Sequence, residues 1–166
     1  DKFSKKLCGR FRTGHFEGVL NVVNRFLEII RPKYIFLGKK DYQQLYLIKK
    51  HIEKRKIKSK IIECETIREN NGVALSTRNS NLDKNQIKIA SNIYYYLRNL
   101  KKKIKKNYNF FNLNKIKKDL KDLGVSKIDY LENYNTKNFK KIKRQNKKFN
   151  LFIAYYIKNV RLIDNI

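Results

Sequence analysis

The sequence has no tryptophan, no methionine, one proline and six glycines among its 166 residues. It also has no run of 18 apolar residues, which argues against a membrane-spanning helix, and no signal peptide is visible. Its two cysteines, Cys8 and Cys64, lie far apart without the spacing of a metal site. We therefore expect two reduced thiols, as in a cytoplasmic protein, and no metal bound by protein side chains alone.

Acidic residues are also scarce, with 14 Asp and Glu against 41 Lys and Arg and a net charge of +27. The positive potential of such a protein attracts nucleic acid. The binding would be carried by two lysine-rich runs, Lys101–Lys106 and Lys140–Lys148. The abundant Lys, Asn, Ile, Tyr and Phe also share AT-rich codons, so codon drift accounts for the same charge. We favour drift and expect nucleic-acid binding to be nonspecific at most.

Helix and strand patterns alternate in the first third of the chain. The spacing of apolar residues predicts an amphipathic helix over 16–31, which Pro32 ends, and a second helix over 41–55. Short apolar runs predict a buried strand over 34–37 and a second strand over 61–64, so strand, helix and strand form a parallel βαβ unit. Because two strands do not make a stable doubly wound sheet, we expect the front of this domain to be missing.

The pattern changes in the polar segment 68–81, and we place a domain boundary close to residue 66. Residues 1–66 then form the end of an α/β domain. Residues 67–166 form a small α+β domain.

Helix and strand signals in the second domain are separate rather than alternating. Asp83 is a good N-cap for a helix of about twenty residues, and a shorter helix over 112–123 ends at Gly124. Alternating side chains predict antiparallel strands over 126–132 and 149–157. The tail completes the sheet with the residues VRLIDN.

The strand 34–37 leads directly into a stretch with the chemistry of a nucleotide site, GKKDYQQL over 38–45. Gly38 admits a ligand close to the backbone, and Lys40 would place an ammonium beside a polyphosphate. Asp41 can cap the next helix or accept hydrogen bonds from a ribose, and Gln44 shares its helix face. A lysine-rich strand exit with an ordinary Asp N-cap explains the same residues and stays open at this point.

Two further stretches carry polar groups in compact order. LSTRN, over 75–79, offers two hydroxyls and a guanidinium for an oxyanion, although a solvated turn has the same composition. GRFRTGHFEGV, over 9–19, leads into the first helix, and we expect His15 to be a cap or packing residue rather than a catalyst. His51 lies among lysines, and we expect it to be exposed.

Taken together and in order, GRFRTGHFEGV, GKKDYQQL, IRENNGVALSTRNS and the terminal RLIDN resemble the motifs of the pantothenate synthetase (pantoate–β-alanine ligase) family. The resemblance covers the whole chain and is strongest over 9–81. Thr13 stands where the family has proline, Lys39 where it has glutamate and Thr77 where it has serine. Residues 130–148 match only loosely.

The resemblance implies a cytoplasmic, homodimeric enzyme that uses ATP and Mg²⁺ to convert pantoate to pantoyl adenylate, which β-alanine then attacks to give pantothenate. It implies a Rossmann-like nucleotidyltransferase fold, as in class I aminoacyl-tRNA synthetases, followed by a small lid domain. Gln44 matches a pantoate-binding position, and Lys40 and Arg78 would stabilise the developing phosphate charge. By motif matching, the ATP site is lined by Gly38, Lys39, Lys40, Asp41, Ile67, Leu75, Ser76, Thr77 and Arg78.

The family's histidine-containing nucleotide motif and an upstream substrate glutamine do not occur in the sequence. We therefore expect the C-terminal part of such an enzyme, with an incomplete Rossmann-like domain and no activity by itself. A non-catalytic remnant and a basic nucleic-acid-binding module are the alternatives.

Overall fold

The computed structural model describes residues 2–142, 144 and 148–166. The chain divides into two compact units, Asp1–Thr66 and Ile67–Ile166. That these units are part of a nucleotide-binding domain and a lid stays a prediction. No helix in the described part of the chain has the length and apolar character needed to cross a membrane.

The first unit is built around the predicted βαβ arrangement. Its elements are α1 (Cys8–Phe11), α2 (His15–Ile30), β1 (Tyr34–Gly38), α3 (Tyr42–Lys54) and β2 (Lys60–Cys64). The two strands pair in parallel, from Tyr34 opposite Lys60 to Gly38 opposite Cys64. The prediction of a parallel unit is confirmed, because α3 is the crossover that returns the chain to the same end of the sheet.

One face of this unit is packed and another is open to solvent. Leu27, Ile48 and Ile52 form a small buried cluster between α2, α3 and the strands. On the strands, Phe36 is 69% exposed and Ile62 is 39% exposed. The prediction of a buried strand over 34–37 is therefore wrong, because Ile35 and Leu37 pack on this cluster while Phe36 lies on the other face of the strand and is exposed. On α2, the exposed apolar side chains are Val22, Phe26, Ile29 and Ile30.

The second unit packs two helices against a three-stranded antiparallel sheet of order β3-β4-β5. Its helices are α4 (Lys84–Lys106) and α5 (Leu113–Asp122), and its strands are β3 (Lys127–Asn135), β4 (Phe149–Ile157) and β5 (Val160–Asn165). Asp83 caps α4 as predicted, in a reciprocal capping box with Gln86. The fully buried side chains of this core include Ile93, Leu97, Ile104, Ile116, Leu120, Leu151 and Ile153.

Two features of the second unit differ from the sequence prediction. Strand β3 continues to Asn135 instead of ending at residue 132, because Asn133 and Tyr134 are buried and pair with β4. The segment 68–81 is not a simple polar loop, since it contains a bridge between Arg68 and Ala74 and a 3-10 turn, Thr77–Asn81. Of the predicted basic run Lys140–Lys148, residues 143 and 145–147 lie outside the described residues.

Candidate functional site

The predicted segment Gly38–Asp41 lies at the carboxyl end of the parallel strands. Gly38 is the last residue of β1 and pairs with Cys64, the last residue of β2. A 3-10 turn, Lys39–Asp41, follows at once and leads into the N-terminus of α3. Ligands of open α/β sheets bind beyond this edge, where helix N-termini present unpaired N–H groups.

Gly38 is not required by the fold. Its φ of −72° is open to any residue, and a Cβ built on it would meet no atom within 4 Å. The space in front of this backbone position is therefore open, which suits the close approach of a ligand.

The charged residues of the turn differ in their surroundings. The Lys39 ammonium forms an ion pair with Glu65, and this hydrogen bond raises the pKa of Lys39 above its usual value. Lys40 is half-buried and Asp41 is exposed. Asp41 stands at the N-cap position of α3, but its side chain makes no capping hydrogen bond to any described residue. The prediction that Asp41 caps the helix is therefore wrong, since its φ and ψ of −93° and 52° depart from the extended backbone usual at an N-cap.

The two adjacent glutamines have separate roles. Gln43 is buried, accepts a hydrogen bond from the Cys8 N–H at 3.1 Å and donates to the carbonyl groups of Phe3 and Lys6. It therefore holds the N-terminal segment against α3, a role that sequence reasoning missed. The side chain of Gln44, the predicted pantoate ligand, is half-buried one position along the helix.

In the second unit, the structure brings Ile67 next to the LSTRN stretch. The Leu75 N–H donates to the Ile67 carbonyl at 2.9 Å, and both side chains are exposed. The Ser76 hydroxyl accepts from the Arg78 N–H at 3.3 Å and so caps the 3-10 turn. The Arg78 guanidinium is exposed and donates to the Arg161 carbonyl at 3.4 Å. Together with the exposed Thr77, these groups form a compact set of oxyanion donors.

The two histidines lie in different surroundings. His15 begins α2, packs its ring on Phe16 and has Nε2 2.9 Å from the Arg12 guanidinium, contacts that agree with packing; that it is not a catalyst stays a prediction. His51 is half-buried with Nε2 2.8 Å from Asn24 Oδ1, and the prediction that it is exposed is wrong because α3 packs against α2 there. Burial, followed by the charges of neighbouring Arg55 and Lys54, lowers the pKa of His51.

Metal ligands are not clustered in the part of the chain that the structure describes, where no group of three or more His, Cys, Asp or Glu side chains could hold an ion. Cys8 and Cys64 are both free thiols, as predicted.

Comparison with known proteins identifies the relatives of this chain. The family described as pantoate-beta-alanine ligase matches residues 1–166. The pantothenate synthetase of Ruthia magnifica subsp. Calyptogena magnifica is 41% identical over 99% of this chain and 59% of its own length. That of Francisella tularensis subsp. mediasiatica is 38% identical over 96% of this chain and 52% of its own length. The chain therefore spans between half and three fifths of the relatives it matches.

Solved structures give the same result at the level of the fold. The pantoate-beta-alanine ligase of Francisella tularensis, solved with beta-gamma ATP and beta-alanine, matches with a TM-score of 0.78 and 37% identity, over 100% of this chain and 55% of that one. The pantothenate synthetase of Thermus thermophilus matches with a TM-score of 0.89 and 25% identity, over 100% of this chain and 60% of that one. The predicted family resemblance and the nucleotidyltransferase-like fold with a small second domain are confirmed.

Proposed function

The chain belongs to the pantoate–β-alanine ligase family, and on that premise we propose that it takes part in the ATP-dependent synthesis of pantothenate. Pantoate attacks the α-phosphate of ATP, giving pantoyl adenylate and pyrophosphate. The amine of β-alanine then attacks the acyl carbon, forms the amide and displaces AMP. Both steps move charge onto phosphate oxygens, so the protein's task is to position the reactants and stabilise that charge.

The observation that carries the proposal is the placement of Gly38–Asp41. This segment ends the parallel strand β1 and leads into α3, and nothing in the fold demands glycine at its first position. A nucleotide phosphate at this edge would meet the N–H groups of the helix N-terminus. Lys40 then supplies the ammonium beside the phosphates, and Asp41, not engaged in capping, is available to a ribose hydroxyl.

Arg78, Ser76 and Thr77 are proposed to bind phosphate oxygens in the second unit. The exposed guanidinium suits a phosphate because its donors form a planar fork. Ile67 and Leu75, joined by a backbone hydrogen bond, are proposed to line the adenine side of the same nucleotide. Gln44 is proposed to bind pantoate, and Lys39 acts at the ATP site together with its partner Glu65.

Mg²⁺ is proposed as the companion ion of ATP. Since the described residues offer no group of three ligands, the ion fits here as one held mainly by phosphates and water. When bound, it neutralises phosphate charge.

The proposed activity concerns a protein longer than these 166 residues, because the relatives extend well beyond the match. We propose that residues 1–166 alone make no pantothenate. A cytoplasmic location, supported by two free thiols, and a homodimer are parts of the same proposal.

The test measures pyrophosphate release by a longer chain, in which residues 1–166 replace the matched part of the Ruthia magnifica relative. We expect Lys40→Ala and Arg78→Ala each to slow adenylate formation by roughly 10²–10³-fold, the effect of removing one transition-state donor. Matched controls are Lys33→Ala, at the opposite end of β1, and Arg98→Ala, exposed on α4. Unchanged release in both test variants would contradict the assigned roles, and no release by the unaltered longer chain would favour a non-catalytic remnant.

A further inference from the structure

The terminal RLIDN contains an acidic residue with no part in the proposed chemistry, Asp164. Its carboxylate binds the Arg68 guanidinium through two hydrogen bonds, 2.7 Å to one nitrogen and 2.9 Å to the other. The side chains of Arg68 and Asp164 are only 19% and 11% exposed, in that order. Strand β5 holds Asp164 in register opposite Ile153 of β4, so the acid is fixed by the sheet. Asp164 is therefore a fixed point of the sheet, to which Arg68 is held by hydrogen bonds.

Arg68 is enclosed on its other side by Tyr94 of α4, whose ring centre lies 4.4 Å from the guanidinium carbon. Burial lowers the pKa of Arg68, but the hydrogen bonds and charge of Asp164 outweigh burial and leave it above the usual value. Gly72 completes the enclosure with a φ of +84°, and a Cβ there would lie 2.2 Å from the Tyr94 ring. Its carbonyl accepts a hydrogen bond from Arg68 at 3.1 Å.

The connection continues from Arg68 to the oxyanion donors. Arg68 pairs with Ala74, and the Glu69 N–H donates to the Val73 carbonyl at 2.9 Å, which forms a tight hairpin. The Asn79 amide then joins the 3-10 turn to this hairpin, donating to Glu69 Oε1 at 3.0 Å and to the Ala74 carbonyl at 3.1 Å. The turn that carries Thr77 and Arg78 is thus held by polar contacts that lead back to Asp164.

We propose that Asp164 and Arg68 are positioning residues that hold the segment 72–79, and with it the oxyanion donors Ser76, Thr77 and Arg78, in a preorganised conformation. This inference rests on the proposed function for the role of those donors. Packing holds the segment at Val73 and Ala74, which are buried, but Leu75, Thr77 and Arg78 beyond them are exposed. A largely buried ion pair with good geometry adds a polar anchor to this packing, and removing one partner leaves the other charge largely buried and uncompensated.

Hydrogen exchange on the 166-residue chain tests the positioning directly. The reporters are the amides of Val73, Leu75 and Asn79, which donate hydrogen bonds to Asn71 Oδ1, the Ile67 carbonyl and the Ser76 carbonyl, in that order. In Asp164→Asn and Arg68→Gln we expect these amides to exchange at least about 10-fold faster, while the amides of β4 keep their rates. The double variant should exchange no faster than either single one, because both changes break the same link. Asp164→Glu, which keeps the charge, should restore part of the protection.

The matched control is Asp129→Asn, which breaks another largely buried ion pair of the same sheet, between Arg161 and Asp129 at 2.8 Å. It should leave the three reporter amides unchanged. A second measurement follows ATP binding by calorimetry in the longer chain of the pyrophosphate assay, where Asp164→Asn should weaken affinity by about 10-fold and Asp164→Glu by less.

Two results would overturn the inference. One is unchanged exchange of the reporter amides in Asp164→Asn, and the other is acceleration of β4 amides by the same factor, which means general destabilisation. If the unaltered longer chain binds no ATP, the proposed function fails, and the exchange experiment on the 166-residue chain still decides whether Asp164 holds the segment.

Discussion

Lys101 of α4 shows how a single buried amine sets a pH dependence. Its ammonium donates to Asn150 Oδ1 at 2.9 Å and lies over the Phe149 ring. Burial, and secondarily the charge of Lys105, lowers its pKa from 10.5 to about 8. Between these two values the unfolded chain keeps a proton that the folded chain has lost, so this residue makes stability rise with pH from about 8 to 10.5.

We therefore expect Lys101→Met to stabilise the protein at pH 7, by about 1 kcal/mol, since the variant removes a desolvated charge but also the hydrogen bond to Asn150. The gain should shrink as pH approaches 10.5, where the native amine is already neutral. Urea unfolding at pH 7, 9 and 10 measures it, with Lys102→Met, at an exposed position of the same helix, as the control. A gain that stays constant over this range would show that Lys101 is not the titrating group.

Among the elements, the two sheets differ in how much of their surface is covered. β1 and β2 form a two-stranded parallel pair with Phe36 and Ile62 exposed, above a cluster of three buried residues. β4 lies between β3 and β5, and its residues Leu151 and Ile153 are fully buried in the larger core. Local opening should therefore cost less free energy in the parallel pair.

We expect the amides of β1 and β2 to exchange with solvent at least about 10-fold faster than those of β4 in the 166-residue chain. Exchange measured by NMR or mass spectrometry provides the comparison, and the edge strands β3 and β5 serve as internal controls for edge position. Equal protection of the two sheets would contradict the argument that uncovered apolar surface weakens the first unit.

For the whole molecule, the net charge of +27 is the dominant electrostatic property. Of the two lysine-rich runs, Lys101–Lys106 is fully described, and most of its lysines project from the last turns of α4. Lysine side chains at a helix end attract phosphate groups but do not by themselves recognise bases.

We expect weak, sequence-independent binding to nucleic acid. The logarithm of its association constant should fall steeply with the logarithm of salt concentration, because counterion release supplies the affinity. Fluorescence anisotropy with two unrelated duplexes over a salt series measures it. Replacing Lys102 and Lys105 by Gln should make the slope shallower for both duplexes equally. A footprint on one preferred sequence at physiological salt would instead favour a nucleic-acid-binding module.

Much of the architecture followed from the sequence by itself. The βαβ order, the long helix after Asp83 and the antiparallel tail were predicted correctly, because periodicity and capping residues act between neighbours in the chain. The family, too, was evident from four motifs in order, and its confirmation needed no coordinates. Local signals of this kind survive in a chain whose surface composition is strongly biased.

Tertiary structure alone decided which of the polar residues hold the fold together. Nothing local separates Gln43, which binds the N-terminal segment, from Gln44 beside it. The burial of His51 depends on α2 packing against α3, and the bond between Arg68 and Asp164 joins residues 96 positions apart. The partner of a polar side chain is set by the path of the whole chain, and residue type and spacing do not encode it.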